Sequence, residues 1–554
     1  MIYRGMQTWE YAPQYALRTY AYLLPLSFIS QLISFLPIEI TKPILFKLLR
    51  CIIASFTAYT EVEFVHSLAI YLDTANNDEN EEKVNPLSIH LKAKSLIPFW
   101  TILTSLFSAG MFHASPALLP SAQVMQLLML SFSYYFKGNE SIAVFWGLVA
   151  VLATGWPFCA LLWVPMGYRI IFDALLDKRN TVKNDRKPLE KLLKQVRDIL
   201  QRTLLHAMAI QTIVSLIDYY YYGDAVFPTI NILEYNAASG GDELYGVEDI
   251  YFYMKNLLVN WNGAALLAII SLLPNISWNE NKHIRIIITP MILWMFIVFP
   301  RPHKEERFLF PIYPILSFAC ALTLDTVITL MVPVFVQPKR SDFGAGVVPN
   351  YQVWIQGWSS KIGTIIVLCI GAVSILRSMA LSQYYTAPLN LYEYLHNELI
   401  KQDIKDKNVN VCVAGEWHRF PSSFFLPYST TTLAYLPSRF KGQLPAYFQI
   451  ENDPSSPTPF NDLNKEEPSR YIKGGISSCD YLIDLRLEGR DEEPEGLQHI
   501  KEDKKGGKFW NEIYDTAYLD AERTGFLDRI LYLPWRSQSS RIFAPYILFK
   551  NERK

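Results

Sequence analysis

The sequence predicts a multi-pass α-helical membrane protein that carries a water-exposed α/β domain at its C-terminal end. Hydrophobic residues fill 51% of the 554 positions and charged residues only 19%, against roughly 25% charged in an average soluble chain. Apolar runs near the ~20 residues that cross a hydrocarbon core recur between residues 18 and 382. After Tyr384 no run is long and apolar enough to cross, which accounts for a mean hydropathy of only +0.12.

The expected spans are about ten, near 18–37, 44–70, 95–113, 119–136, 142–166, 203–221, 256–273, 284–300, 308–332 and 360–382. The second is interrupted by Lys47, Arg50, Glu61 and Glu63, which also suits a short span followed by an interfacial helix. Lys and Arg are retained on the cytosolic side of a membrane. The loop after the fifth span carries Lys178, Arg179, Lys183, Arg186, Lys187, Lys191, Lys194, Arg197 and Arg202, and is expected in the cytosol. The next loop holds Asp224, Glu234, Asp242, Glu243, Glu248 and Asp249 against Lys255, and is expected on the luminal side. Alternation then places residues 303–307, the C-terminal domain and the first twenty residues in the lumen. A luminal start needs an upstream element to translocate it. Residues 1–17 lack the apolar core of a signal peptide, so either the count of spans is off by one or an earlier span precedes this sequence, and the second is the expectation.

The domain division expected is 1–383 for the membrane part and 384–554 for a luminal domain. In the latter, Asn410, Val411, Cys412 and Val413 read as a strand, and Asp453-Pro454, Gly474-Gly475 and Gly506-Gly507 as turns. Cys51, Cys159, Cys320 and Cys369 fall in or beside spans, where a buried thiol is ordinary. Cys412 and Cys479 are the two in the expected luminal domain, and an oxidising compartment permits a bridge between them. The net charge of -1 argues against a nucleic-acid surface built on general basic excess.

The most informative stretch is His303-Lys304-Glu305-Glu306-Arg307-Phe308, followed by Leu309-Phe310-Pro311-Ile312-Tyr313-Pro314. A charged cap that anchors helix ends at the interface is the ordinary account of such a cluster. Here three potential cations stand beside two carboxylates. His303, Lys304 and Arg307 suit a lipid-linked phosphate, because Arg can grip its oxygens bidentately. Glu305 and Glu306 could hold those cations or bind sugar hydroxyls.

These two segments resemble the signature of glycosyltransferase family 22, the N-glycan and glycosylphosphatidylinositol mannosyltransferases. Further stretches are similar to the α-1,2 branch of that family: Gln7-Thr8-Trp9-Glu10-Tyr11-Ala12-Pro13, Gly155-Trp156-Pro157-Phe158, and Asp218-Tyr219-Tyr220-Tyr221-Tyr222-Gly223. Leu244-Tyr245-Gly246, Tyr251-Phe252-Tyr253 and Glu416-Trp417-His418-Arg419-Phe420-Pro421-Ser422-Ser423 extend the likeness over essentially the whole chain. The resemblance implies a GT-C-type fold in the endoplasmic reticulum membrane with its active site facing the lumen. It implies a dolichyl-phosphate-mannose donor and a dolichyl-pyrophosphate oligosaccharide acceptor carrying six or eight mannoses. The donor is β-linked and the product α-linked, so one inverting displacement suffices. A carboxylate takes the acceptor proton and cations stabilise the departing phosphate, with no metal or other cofactor demanded.

The family's acidic pair, an Asp-Glu in a first luminal loop, would lie upstream of Met1. Glu10 is the nearest carboxylate, but in the family that position belongs to a separate motif, and a structural contact suits it better. A protein starting at Met1 is therefore expected to be inactive or nearly so, which rescue by short and extended forms would decide.

Asp218 beside four tyrosines either positions sugar or caps its helix, and the acidic loop reads as a solvated face. Trp417, His418 and Arg419 could touch the glycan acceptor or pack the tail. His113 and His206 have no ligand partners at helical spacing and are not assigned to metal. Asn139-Glu140-Ser141 is a sequon in an expected luminal turn, and Asn275-Ile276-Ser277 one on the cytosolic side. A secondary transporter would show inverted repeats and mid-membrane charges, and neither is evident. A non-catalytic subunit or truncated form, an α-1,6-mannosyltransferase and a glycosylphosphatidylinositol mannosyltransferase are the remaining alternatives.

Overall fold

The computed structural model describes residues 5–37, 39–78, 96–176, 188–237, 244, 246–273, 282–335, 351–419, 421–448, 459–487, 495–502 and 509–552. The chain forms two units, one of residues 1–18, 25–49 and 376–554, the other of 19–24 and 50–375. In chain order the helices are α1 (Leu24–Ser34), α2 (Lys42–Asp78), α3 (Ile97–Phe107), α4 (Ala109–Ala114), α5 (Pro120–Phe136), α6 (Glu140–Ala153) and α7 (Val164–Leu176). They continue with α8 (Pro188–Tyr222), α9 (Pro228–Ala237), α10 (Phe252–Ile270), α11 (Lys282–Val298), α12 (Tyr313–Phe335), α13 (Tyr351–Tyr384) and α14 (Ala387–Lys401).

The helical unit has its core around α12, whose Phe318, Ala319, Cys320 and Ala321 are fully buried. A helix apolar on every side belongs inside a bundle or a membrane, and α12 is both. On α2, by contrast, Phe56, Val62 and Ile70 are exposed, as residues facing lipid are. Among the described residues, Lys42–Thr74, Glu306–Val332 and Gly357–Tyr384 are long and apolar enough to cross a bilayer. The second expected span is thus one continuous helix, its polar residues answered from neighbours: Ser105 donates to Glu61, 3.0 Å, and Lys137 pairs with Glu63 at 2.5 Å.

Two other expected spans are built differently. The α1 helix has 11 residues, about 16 Å at 1.5 Å per residue, and falls short of a ~30 Å core. The run 142–166 is a hairpin. The residues just before it, Asn139 to Ser141, and Val144 within it line a cavity of about 260 Å³ with Ile170 on α7 and Ile199, Arg202 and His206 on α8. Its middle, Gly155, sits against Thr19, which donates a 2.9 Å hydrogen bond to Asp218. Ile199 and Asp218 are 19 residues apart on α8, about 28 Å, so α6, 14 residues or about 21 Å, climbs most of that distance and residues 157–176 return. The reversal is made by Gly155 at φ +63°, a left-handed conformation natural to glycine, with Pro157 opening the 3₁₀ helix Pro157–Trp163.

Asn139 lies at the end of the bundle that holds Arg202, not at the end that holds Asp218. Trp156 packs on Trp294 and Phe308, so residues 303–308 share the Asp218 end. The first expected crossing disappears and the fifth becomes two, so the turn at Asn139 changes ends relative to the expectation while the alternation beyond α7 is kept.

The other unit contains a five-stranded mixed sheet. Its strands, with β1 (Met6–Gln7) and β4 (Ala446–Tyr447) forming a separate antiparallel pair, are β2 (Val409–Val413), β3 (Thr431–Tyr435), β5 (Tyr481–Leu485), β6 (Trp510–Leu519) and β7 (Phe543–Asn551). The order is β3-β2-β5-β7-β6, parallel across the first three and antiparallel thereafter. Alternation along the strands sends Val411, Val413 and Ile483 onto Leu391, Leu395 and Leu399 of α14. It sends Cys412, Leu482 and Ile547 to the opposite face with Ile500. Cys412 and Cys479 are disulfide-bonded. The first residues fold with this unit: β1 pairs with β4, and Gln14 and Tyr15 donate to the Phe460 carbonyl. Residues 5–17 have no apolar run to place in a bilayer, and their polar backbone is completed by the sheet unit instead.

Candidate functional site

The stretch 303–308 joins α11 to α12, and its residues divide by parity. Glu305 is extended, at φ −134° and ψ 145°, so adjacent side chains diverge. His303, Glu305 and Arg307 bond to one another. His303 Nε2 lies 3.0 Å from Glu305 Oε1, and Arg307 Nη2 donates to that same oxygen at 2.7 Å while its Nε pairs with Oε2. His303 Nδ1 stands 3.2 Å from the Gly246 carbonyl. All three side chains remain between about a fifth and a third exposed.

Lys304, Glu306 and Phe308 bond into the surrounding helices. Lys304 is buried, and its ammonium donates to the carbonyls of Glu248 at 2.9 Å and Arg301 at 2.5 Å. It ties the loop before α10 to this turn, and Glu248 N–H returns a bond to Pro302 O. Glu306 Oε1 accepts from Asn260 Nδ2 at 2.8 Å and Tyr313 Oη at 3.1 Å, and lies 2.6 Å from His113 Nε2. Phe308 gives its carbonyl to Trp294 Nε1 at 2.7 Å. The candidate phosphate ligands therefore separate: His303 and Arg307 stay together at an accessible cluster, while the Lys304 ammonium is committed to backbone carbonyls.

Electrostatics hold the cluster charged. The Glu305 hydrogen bond raises the His303 pKa above its usual range, with burial opposing. Burial alone would raise the Glu305 carboxyl, but His303 and Arg307 bring it below the ordinary carboxylate value. One carboxylate thus bridges two cations, a geometry an anion with several oxygens can share.

Asp218 is fully buried at the same end of the bundle. Its Oδ1 accepts from Thr19 Oγ1 and from the Tyr20 N–H at 2.8 Å, and Tyr20 stacks on Tyr221 at 4.7 Å. A Cβ on Gly155 would meet Thr19 Cγ2 at 2.9 Å. Asp218 therefore fixes the chain at 19–20 against the hairpin turn, whose Trp156 braces Phe308. Asp242, Glu243 and Tyr245 lie outside the described residues. Asp249 pairs with Lys255 at 2.6 Å on an exposed turn.

The remaining site expectations fall in the sheet unit. Glu10 pairs with Arg18 at 2.7 Å. Trp417 packs on Phe440 with centroids 4.5 Å apart. His418 Nδ1 meets the Gly415 carbonyl, and burial lowers its pKa. Arg419 pairs with Glu416 and lies 4.4 Å over the Tyr518 ring. These contacts lie within the unit, and Phe420 is outside the described residues. His113 was missed by sequence reasoning, since its partner Glu306 is 193 positions away. A histidine ending an apolar run was the available signal.

Residues 1–427 match the profile of the Alg9-like mannosyltransferase family. The chain belongs to that family. The resemblance read from residues 303–314 is thereby confirmed, and membership makes the chain a multi-pass membrane glycosyltransferase of the GT-C class. It is similar to the alpha-1,2-mannosyltransferase ALG9 of Mus musculus and that of Homo sapiens, each 33% identical over 99% of this chain and 82% of the relative. The Caenorhabditis elegans alpha-1,2-mannosyltransferase algn-9 is 29% identical over 99% of this chain and 84% of its own. Among solved structures, ArnT from Cupriavidus metallidurans bound to undecaprenyl phosphate aligns over 85% of this chain and 83% of its own, with 10% identity and a TM-score of 0.41.

Proposed function

We propose that this protein transfers mannose from dolichyl-phosphate mannose, in α-1,2 linkage, to dolichyl-pyrophosphate-linked oligosaccharide in the endoplasmic reticulum membrane. The acceptors are the six- and eight-mannose intermediates of N-glycan assembly, and the site faces the lumen. The observation that carries this reading is the His303–Glu305–Arg307 cluster at the mouth of α11 and α12, at the bundle end opposite Arg202.

In the displacement, the acceptor hydroxyl attacks the anomeric carbon and gives its proton to a carboxylate base, the bond to the phosphate oxygen breaks, and configuration inverts. The departing dolichyl phosphate gains negative charge on its oxygens. Arg307 has five N–H donors in a planar fork and His303 a raised pKa, so both offer positive groups where that charge grows. Lys304 contributes by holding the turn rather than by touching phosphate, and Glu305 keeps the two cations at one spacing. Family membership and the 33% identity to alpha-1,2-mannosyltransferases support the linkage.

Depleting the protein in its natural host and profiling lipid-linked oligosaccharides tests the reading. The six-mannose intermediate is expected to accumulate. Accumulation of the five- or seven-mannose species instead, or of an incomplete glycosylphosphatidylinositol, would reject it.

A further inference from the structure

The His113 side chain meets the 303–308 turn from outside the motifs and outside the proposed phosphate cluster. It ends α4, a six-residue helix offset from α3 by Ser108, whose extended backbone breaks the run and whose Oγ accepts from Met111 N–H at 3.1 Å. The offset is fitted to α10. A Cβ on Gly110 would stand 2.2 Å from Trp261 Nε1, so only a glycine lets α4 approach that closely. Trp261 in turn packs edge-on against Tyr313 at 5.0 Å, and Tyr313 and Asn260 both donate to Glu306. Three separate elements, α4, α10 and α12, thus converge on one carboxylate oxygen, with His113 Nε2 the nearest at 2.6 Å.

We propose that His113 is a positioning residue for glycosyl transfer: it holds the Glu306 carboxylate, and through the adjoining peptide sets where Arg307 meets the donor phosphate. The proposal rests on the function inferred above and adds a residue to it. Two physical effects run in one direction. A Glu306 freed from His113 is a carboxylate one residue from Arg307, able to compete with Glu305 for the guanidinium. It also brings negative potential toward the place where the donor phosphate binds. The ring edge on Phe310, 5.7 Å between centroids, keeps the imidazole in register for this contact.

The test uses full-length protein in detergent with dolichyl-phosphate mannose as donor, reading kcat and donor KM separately. Dolichyl monophosphate binding, followed as a thermal shift, serves as a second readout. His113→Leu keeps an apolar shape and removes the contact. It is expected to lower kcat/KM for the donor about 10- to 100-fold, the loss of one close contact to a charged group, with the fall mainly in donor KM and weaker dolichyl monophosphate binding. His113→Gln, whose amide reaches the Nε2 position, is expected to recover most of it. Gly110→Ala should reproduce the leucine defect with His113 present, since it pushes α4 away. In a Glu306→Gln background, His113→Leu should add little, because the two act as one unit.

A wild-type kcat/KM in folded His113→Leu, failure of the glutamine variant to rescue, or an undiminished defect in the Glu306→Gln background would each overturn the proposal. If wild-type protein makes another linkage while His113→Leu still weakens dolichyl monophosphate binding, the proposed linkage falls and the positioning role stands.

Discussion

The division of residues 303–308 by parity makes Lys304 and Arg307 behave differently although both are cations in one motif. Lys304→Met keeps the length and apolar stem while removing the ammonium. Two hydrogen bonds from a charged donor disappear, and the carbonyls of Glu248 and Arg301 lose a buried partner. At roughly 1.5–3 kcal/mol for each such bond, the local loss is about 3 kcal/mol or more. It should appear as a lower Tm and faster proteolysis of the turn. Arg307→Ala removes a fork that is, like its protein partner Glu305, about a third exposed, so Tm should move much less than for Lys304→Met. The loss should appear in donor KM: about 2 kcal/mol of bidentate phosphate contact corresponds to about 30-fold. Purified variants would be compared by thermal unfolding and by initial rates over a range of dolichyl-phosphate mannose. If Lys304→Met unfolded like the wild type and matched Arg307→Ala in donor KM, the parity argument would be wrong.

Three other expectations follow from particular groups. The His303 pKa is raised by Glu305, so the ion pair is fully present below the ordinary histidine value of about 6.5 and is lost as pH rises through the raised one. Donor KM should increase over that alkaline window, and His303→Asn should flatten the profile. Burial pushes the Asp484 carboxyl up to about 7 from an unfolded value near 3.8. Folded protein therefore binds the extra proton between those limits, and stability should decline by several kcal/mol, on the order of 4, as pH rises from 4 to 7. Asp484→Asn should remove that slope in pH-dependent unfolding, and an unchanged slope would count against it. The Cys412–Cys479 bridge spans 67 residues, a loop whose closure is worth about 4 kcal/mol in the chain-entropy account. Cys412→Ser should destabilise the sheet unit by that order in denaturant titration.

The sequence determined the class of protein, the family and the turn that carries the chemistry, because those are local properties. Apolar runs, a basic loop against an acidic one, and the string from His303 to Pro314 can be read without knowing what lies beside them. The strand at 410–413 and its cysteine were legible for the same reason. Tertiary structure decided what depends on partners far along the chain. A 25-residue apolar run from 142 to 166 has enough hydrophobicity for one pass or for a hairpin. Only the packing of Gly155 on Thr19 and of Gly138–Ser141 beside Arg202 shows the second, although Gly155 and Pro157 were available as turn signals. Likewise, three cations within five residues look equivalent in sequence. Burial of Lys304 between two carbonyls, and the meeting of His113 with Glu306 across 193 positions, are set by which helices touch, and hydrophobic periodicity carries no information about that.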